Sequence, residues 1–297
     1  MEDISPIAGP RRYPLTIPNA AGLQDHRFLG QAVLPAVHAM AYLARTVGRV
    51  FPDVVLASSA DIRFDKFLVL PPPDIPQVEA FVELDVSPDG ESVAALLLTR
   101  HVAAKSGMTR MKVHVRSRFG RPVNAEDSLP QAPAWPDAQK DVYHLSVERL
   151  YAEMVPFGTV FQNVVSRVAL RPEGALAIVS GGALGTAEHA FRLGSPFCLD
   201  AALHIACAWA QRYAGIVAFP VALQKRVILN PTLPGKDYLA CVRYKEREGD
   251  GLLFDLWLHD RAGRLCEIVQ GLTMRDVSGG KLRPPTWISA HIPDGTQ

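Results

Sequence analysis

No apolar run in this chain approaches the roughly 20 residues that a membrane-spanning helix needs. The opening MEDISPIAGP is acidic and proline-broken where a secretory signal would be basic and then apolar. A cytoplasmic location with no membrane partner is therefore expected. An excess of either charge is also missing: 31 Lys plus Arg stand against 30 Asp plus Glu, a net charge of +1. A phosphate backbone selects a basic surface, so nucleic acid is not expected as a partner. Cysteine is sparse. Cys198, Cys207, Cys241 and Cys266 fall at spacings of 9, 34 and 25, which match no zinc-ligand or redox pattern. No metal site is expected, and all four are read as small buried hydrophobes. What remains is ordinary globular material: 297 residues, 48% apolar and 21% charged, enough for one large core or two fused smaller ones.

Two apolar helices, each followed by a run of strands, organise that material. The first is expected from Pro35 to Val50, because proline is tolerated in an opening turn and Gly48 with Pro52 marks the exit. DIRFDKFLVL, VEAFVELDV, SVAALLLTRHV and TRMKVHVRS then alternate or run apolar as an antiparallel meander does. From Phe119 to Leu145 the pattern fails among Pro122, Pro130, Pro133 and Pro136, which marks a linker. The second half opens with a short helix near Val147 to Met154. Its long helix is expected from Pro196 to about Ala214, with Ser195 as N-cap and Gly215 as terminator. Ala201, Ala202, Leu203, Ile205, Ala206, Ala208 and Trp209 make that helix apolar on nearly every side, so it should be buried all round. The resulting class is α+β with two similar lobes, at 1–118 and 146–278, a linker at 119–145 and a tail at 279–297. Two antiparallel sheets, each wrapped around a central helix, would satisfy it as a double hot-dog fold.

Two short patterns carry chemistry. HRFLGQAVLP, His26 to Pro35, sets a histidine at the start of a loop, Gly30 four residues on and Pro35 opening a helix: a base beside a helix N-terminus, suited to proton abstraction next to a carbonyl. The pattern Asp-x3-His/Gln occurs three times. Asp127 and Gln131 fall in the linker. Asp255 and His259 fall in a strand, about 13 Å apart. Only Asp200 and His204, at i and i+4 on one helix face, are placed to act as a unit.

HRFLGQAVLP, FGTVFQ (Phe157 to Gln162), LDAALH (Leu199 to His204), FPVAL and the last strand GRLCEIVQGLTMR resemble, in order and spacing, the dehydratase domain of modular polyketide and related fatty-acid synthases. The resemblance runs from about Tyr13 to Val277. It implies a dimeric double hot dog that removes water from a (3R)-hydroxyacyl thioester on acyl carrier protein, with no cofactor beyond the carrier's phosphopantetheine. It also implies that His26 and Asp200 meet across a tunnel between the lobes. Where many members show Tyr-Gly-Pro-x-Phe, this chain has Phe157-Gly158-Thr159-Val160-Phe161, without the tyrosine hydroxyl; the usual Pro-Gly at the helix start is Pro35-Ala36.

In that reading neutral His26 is the base and Asp200 the acid. Asp200 is expected to have a raised pKa in its apolar surroundings, and His204 to orient it by a hydrogen bond. Backbone N–H groups around Gly30 and the helix start at Pro35 would polarise the thioester carbonyl. Leu34, Phe157, Gly158, Phe161 and Gln162 would line the substrate path. Lys225 and Arg226 are read as a solvated strand face or a dock for an acidic carrier. Two other functions stay open: a product-template-like aldol cyclase, and a non-catalytic domain kept for dimerisation or carrier docking. A thioesterase is disfavoured because no water-activating Asp or Glu is indicated near His26 apart from Asp25, which precedes it and can point away.

Overall fold

Pro35, with φ −59° and ψ 143°, is the last extended residue before the first helix, where its missing N–H leaves nothing unpaired. The structure is a computed structural model and describes residues 9–102, 108–120, 132, 142–183 and 193–289. The first half holds β1 (Arg11–Pro18), a short hairpin of β2 (Arg27–Phe28) and β3 (Gln31–Ala32), α1 (Ala36–Val50), β4 (Ser58–Phe64), β5 (Gln77–Val86), β6 (Ser92–Val102) and β7 (Thr109–Gly120). The second holds β8 (Tyr143–Leu145), α2 (Val147–Arg149), β9 (Val168–Arg171), β10 (Gly174–Ser180), α3 (Pro196–Trp209), β11 (Phe219–Ile228), β12 (Asp237–Glu248), β13 (Gly251–His259), β14 (Leu265–Arg275) and α4 (Thr286–Ser289).

Each half-sheet curls over its own helix. α1 packs on β5, β6 and β7, α3 packs on β9 to β13, and the two helices also touch each other. All fourteen residues of α3 are buried, as its all-round apolar sequence requires. Ser195 caps it, its Oγ accepting the Phe197 N–H at 3.3 Å, with Pro196 in the first turn. A π-helical turn, Ala210–Ala214, carries the helix on to Gly215, whose φ of +68° ends it.

The half-sheets are continuous with each other. β4 pairs antiparallel with β11, giving one twelve-stranded sheet in the order β1-β5-β6-β7-β4-β11-β14-β13-β12-β10-β9-β8. Pairing β4 with β11 removes two edges that would otherwise present a row of unpaired backbone groups.

The run DIRFDKFLVL, expected as one strand, is divided. β4 ends at Phe64, and the Asp65 N–H donates to the His114 carbonyl. His114 Nδ1–H donates to the Lys66 carbonyl at 3.1 Å, while the Thr99 hydroxyl lies 2.7 Å from Nε2. The chain thus turns away from the sheet and backs the 32–34 segment: Leu34 N–H donates to Leu68 and Leu70 N–H to Ala32.

Of the expected linker, Phe119–Gly120 and Tyr143–Leu145 are strand residues of β7 and β8. The remainder, apart from Ala132 and Val142, lies outside the described residues, as do Asp127 and Gln131. In the expected tail, α4 docks on the second lobe through Arg212, whose Nη1 donates to the Ile288 carbonyl at 2.8 Å; residues 290–297 lie outside the description. All four cysteines are buried, and none is in a disulfide. No helix among the described residues is long and apolar enough to cross a membrane.

Candidate active site

His26 ends a 3₁₀ turn, Ala21–Asp25, its own N–H returning to the Leu23 carbonyl. Its backbone carbonyl accepts the Val33 N–H at 2.9 Å, and ring Nδ1 lies 3.1 Å from the Val33 carbonyl. A carbonyl can only accept, so Nδ1 carries the proton, and in the neutral ring Nε2 is left with a bare lone pair. Phe157 stacks on this ring at 4.3 Å and Phe161 meets it edge-on at 5.2 Å. Burial, the largest influence, together with the nearby His204 and His38, outweighs the upward pull of Asp200 and the Val33 bond; the His26 pKa falls to about 4. The imidazole is therefore neutral at physiological pH.

Asp200 and His204 are both 4% exposed on α3. His204 Nε2 stands 3.2 Å from Asp200 Oδ2. The angle lies outside that of a hydrogen bond, so neither atom has a hydrogen-bond partner among the described residues. The expected orienting hydrogen bond is replaced by a close polar contact. The expectation of a raised Asp200 pKa is overturned too. Burial pushes it up and is the largest single influence, but the charge and polar contact of His204, followed by His26 and His38, together hold the carboxyl below its ordinary value. Taking His204 only as an orienting partner, and leaving out His26 and His38, hid this.

The second lobe reaches the first through the Phe157–Phe161 loop. Gly158 N–H donates to the Asp25 carbonyl at 2.9 Å and Val160 N–H to Asp25 Oδ2 at 3.2 Å. The Asp25 carboxylate is thereby committed to the backbone. Phe157 in turn lies 5.0 Å from the His204 ring, so one phenyl group joins His26 to the Asp200 and His204 pair.

Gly30 lies with Leu29 at the tip of the β2–β3 hairpin, both at positive φ, +82° and +48°, the pair of conformations that a type I′ turn demands. Gly30 is exposed with open space above it, so the turn accounts for the glycine. Leu34 is buried in the first core, its N–H bonded to Leu68. Pro35 has no side chain that could cap the first turn of α1. Phe161 is fully buried. Gln162 is a correction: it stands on the surface, where Nε2 donates to the Phe157 carbonyl at 2.8 Å and holds the loop from outside. Arg226 is another. It is 4% exposed and forms a two-pronged bond to Glu267 at 2.7 and 3.2 Å, so it faces neither solvent nor a carrier.

Two residues of the cluster were not found in the sequence. His38, fully buried on the first turn of α1, packs edge-on against Phe161 at 5.8 Å and Phe197 at 5.6 Å. Its position three residues after Pro35, at the helix end nearest His26, was the available signal. Tyr151, 5% exposed, lies with its hydroxyl 3.4 Å from His204 Nδ1 and accepts the Val164 N–H at 2.8 Å. No periodicity marks it.

A neutral histidine from one lobe and a carboxylate–imidazole pair from the other thus share one aromatic-lined cluster. The family described as the polyketide synthase dehydratase N-terminal domain matches residues 122–284, more than half of the chain. The chain belongs to the polyketide synthase dehydratase family. The matched stretch carries the Phe157 loop, Asp200 and His204, and the first lobe supplies His26 to this dehydratase fold. Among solved structures, the dehydratase domain of RzxB from Pseudomonas fluorescens shares 19% identity at TM-score 0.68, covering 89% of this chain and 94% of that one. The dehydratase domain from the CurF module of curacin polyketide synthase shares 17% at TM-score 0.71, covering 92% and 96%. That of a mycocerosic acid synthase-like polyketide synthase shares 17% at TM-score 0.71, covering 92% of each. These likenesses show the double hot-dog fold. No curated protein sequence matches the chain.

Proposed function

We propose that this dehydratase-family chain removes water from a (3R)-3-hydroxyacyl thioester carried on acyl carrier protein, giving a 2-enoyl thioester without a resident cofactor. The observation that carries this reading is the meeting of His26 with the Asp200 and His204 pair around Phe157. Dehydration needs a base and an acid at one pH. Nε2 of His26 takes the proton next to the carbonyl, and its depressed pKa keeps it free to do so. One proton is shared between Asp200 and His204; it passes from Asp200 Oδ2 to the hydroxyl as the C–O bond breaks and the C=C bond forms, so that water leaves. Return of the proton from His26 to the pair restores the site. The N-terminus of α1, with no side-chain cap from Pro35, polarises the thioester carbonyl and stabilises enolate charge.

This assignment corrects the acid from a lone neutral Asp200 to the Asp200 and His204 pair. The test is incubation with a 3-hydroxyacyl-carrier thioester and mass spectrometry for the loss of one water. His26→Ala and Asp200→Asn should each abolish it, and full turnover in both would overturn the mechanism. In the wild type, carbon–carbon ring closure without water loss would favour the cyclase, and inertness towards thioesters would favour a docking domain. Light scattering tests the proposed homodimer.

A further inference from the structure

We propose that Tyr151 is the positioning residue of the acid half of the site, holding the His204 ring so that Nε2 faces Asp200 in both protonation states of the pair. The inference rests on the Asp200 and His204 reading above and adds to it a residue outside the family-like motifs.

His204 has three neighbours in the cluster. Asp200 Oδ2 lies 3.2 Å from Nε2, and Phe157 covers the ring at 5.0 Å without offering a polar contact. Tyr151 stands on the opposite edge, ring planes at 87° and hydroxyl 3.4 Å from Nδ1. A flip of the imidazole would turn a carbon towards that hydroxyl and another towards Asp200. The hydroxyl is thus the polar group that distinguishes the two orientations at the Nδ1 edge.

A phenol oxygen suits the task because it can accept from Val164 N–H and from His204 Nδ1–H together. The proton exchanged with substrate moves at the Nε2 edge, so Nδ1–H donates to the Tyr151 oxygen both when the pair holds that proton and when it has gone. Burial, the largest influence on this phenol, raises its pKa, so the hydroxyl keeps its hydrogen throughout.

The hydroxyl is also fixed in space. Val164 N–H donates to it at 2.8 Å, and the ring is carried on a π-helical turn, Leu150–Met154. That turn is fastened from two sides. Gln211 Nε2 donates to the Met154 carbonyl at 3.0 Å, and Trp287 of α4 donates its Nε1–H to Glu153 while Arg149 lies 4.1 Å over the Trp287 ring. Nothing in a general core-filling role requires the tyrosine oxygen to meet an imidazole.

Tyr151→Phe tests the proposal, read by side-chain ¹⁵N NMR of His204, by kinetics on the 3-hydroxyacyl-carrier thioester and by thermal melting. The expected result is a change in the His204 tautomer signals, with kcat lowered about 10- to 100-fold at unchanged KM, less than the roughly 10²–10⁴-fold expected of removing an acid outright. A folded variant with wild-type ¹⁵N signals and wild-type kcat, altered only in melting temperature, would overturn it. If Tyr151→Phe does not fold, 3-fluorotyrosine at position 151 keeps ring and hydroxyl but weakens the oxygen as an acceptor. The His204 Nδ1 ¹⁵N signal should then shift, and an unchanged signal overturns the proposal. Should wild-type protein dehydrate no such thioester, the functional reading fails, while the NMR response still decides the positioning role.

Discussion

The rings of Phe157 and His26 lie 4.3 Å apart and 24° from parallel, and they come from opposite halves of the chain. The phenyl face shields the imidazole from water while the Val33 carbonyl holds its Nδ1 proton. Desolvation opposes charge on the ring, and the adjacent carboxylate of Asp200 only partly restores it. A half-buried histidine is in this way kept as an uncharged base next to the Asp200 and His204 pair.

The same burial sets a pH dependence of stability. Above pH 6.5 His26 is neutral folded or unfolded; between 6.5 and about 4 the unfolded chain binds a proton that the folded chain refuses. Stability should therefore fall as the pH drops through this window, with His26 contributing about 3 kcal/mol of loss by pH 4. Urea midpoints measured across the window check this, and His26→Gln should flatten the slope. In kcat/KM the acid-side limb due to His26 should lie well below 6.5; an inflection at 6.5 that disappears in His26→Gln would refute the shielding.

Leu29 predicts a gain. It occupies φ +48° at the hairpin tip, a conformation costly for a branched aliphatic chain, and it is 47% exposed, so little packing rewards it. Leu29→Asn, which suits the first central position of a type I′ turn, should stabilise the protein by about 1 kcal/mol in chemical denaturation.

Much of this was legible. Pro35 and Ser195 announced both helix starts, and the Ala-rich face of α3 announced its burial, because capping and periodicity are local properties. Asp200 and His204 were found through spacing on one helix. The protonation of Asp200 was misread, since His204, one turn along the same helix, was taken only as an orienting partner, and its charge adds to those of His26 and His38 from the other lobe. Tyr151 and His38 were missed because each joins the cluster through contacts far along the chain, Tyr151 with His204 and His38 with Phe161 and Phe197. The division of DIRFDKFLVL after Phe64 is decided by His114, some fifty residues further on, and the β4–β11 seam by a pairing no local pattern encodes.

Arg226 shows how far a solvated-face reading can miss. It lies on β11, which forms the seam, and the guanidinium and Glu267 are both buried. Glu267→Gln would leave an uncompensated buried cation and should cost about 3–5 kcal/mol. Replacing both together, Arg226→Met with Glu267→Leu, should cost far less, because no charge is then stranded. Denaturation of the single and double variants decides between this and a carrier-docking role, in which Glu267→Gln would weaken carrier binding and leave stability alone.

Gly158 offers the sharpest test of how the lobes are joined. Its φ of −67° is open to any residue, so the need for glycine is spatial: a Cβ would overlap the Cβ and carboxyl group of Asp25. Gly158→Ala should push apart the two hydrogen bonds that Asp25 accepts from Gly158 and Val160, costing about 1–3 kcal/mol, and draw Phe157 off His26. Turnover should fall along with stability. Asp25→Ala removes the obstructing carboxyl, so in the Gly158→Ala background it should cost less than it does in wild type. A double-mutant cycle in denaturant measures this coupling. Additive losses would mean that Asp25 and Gly158 do not clamp the lobes together, and the stack of Phe157 on His26 would need another cause.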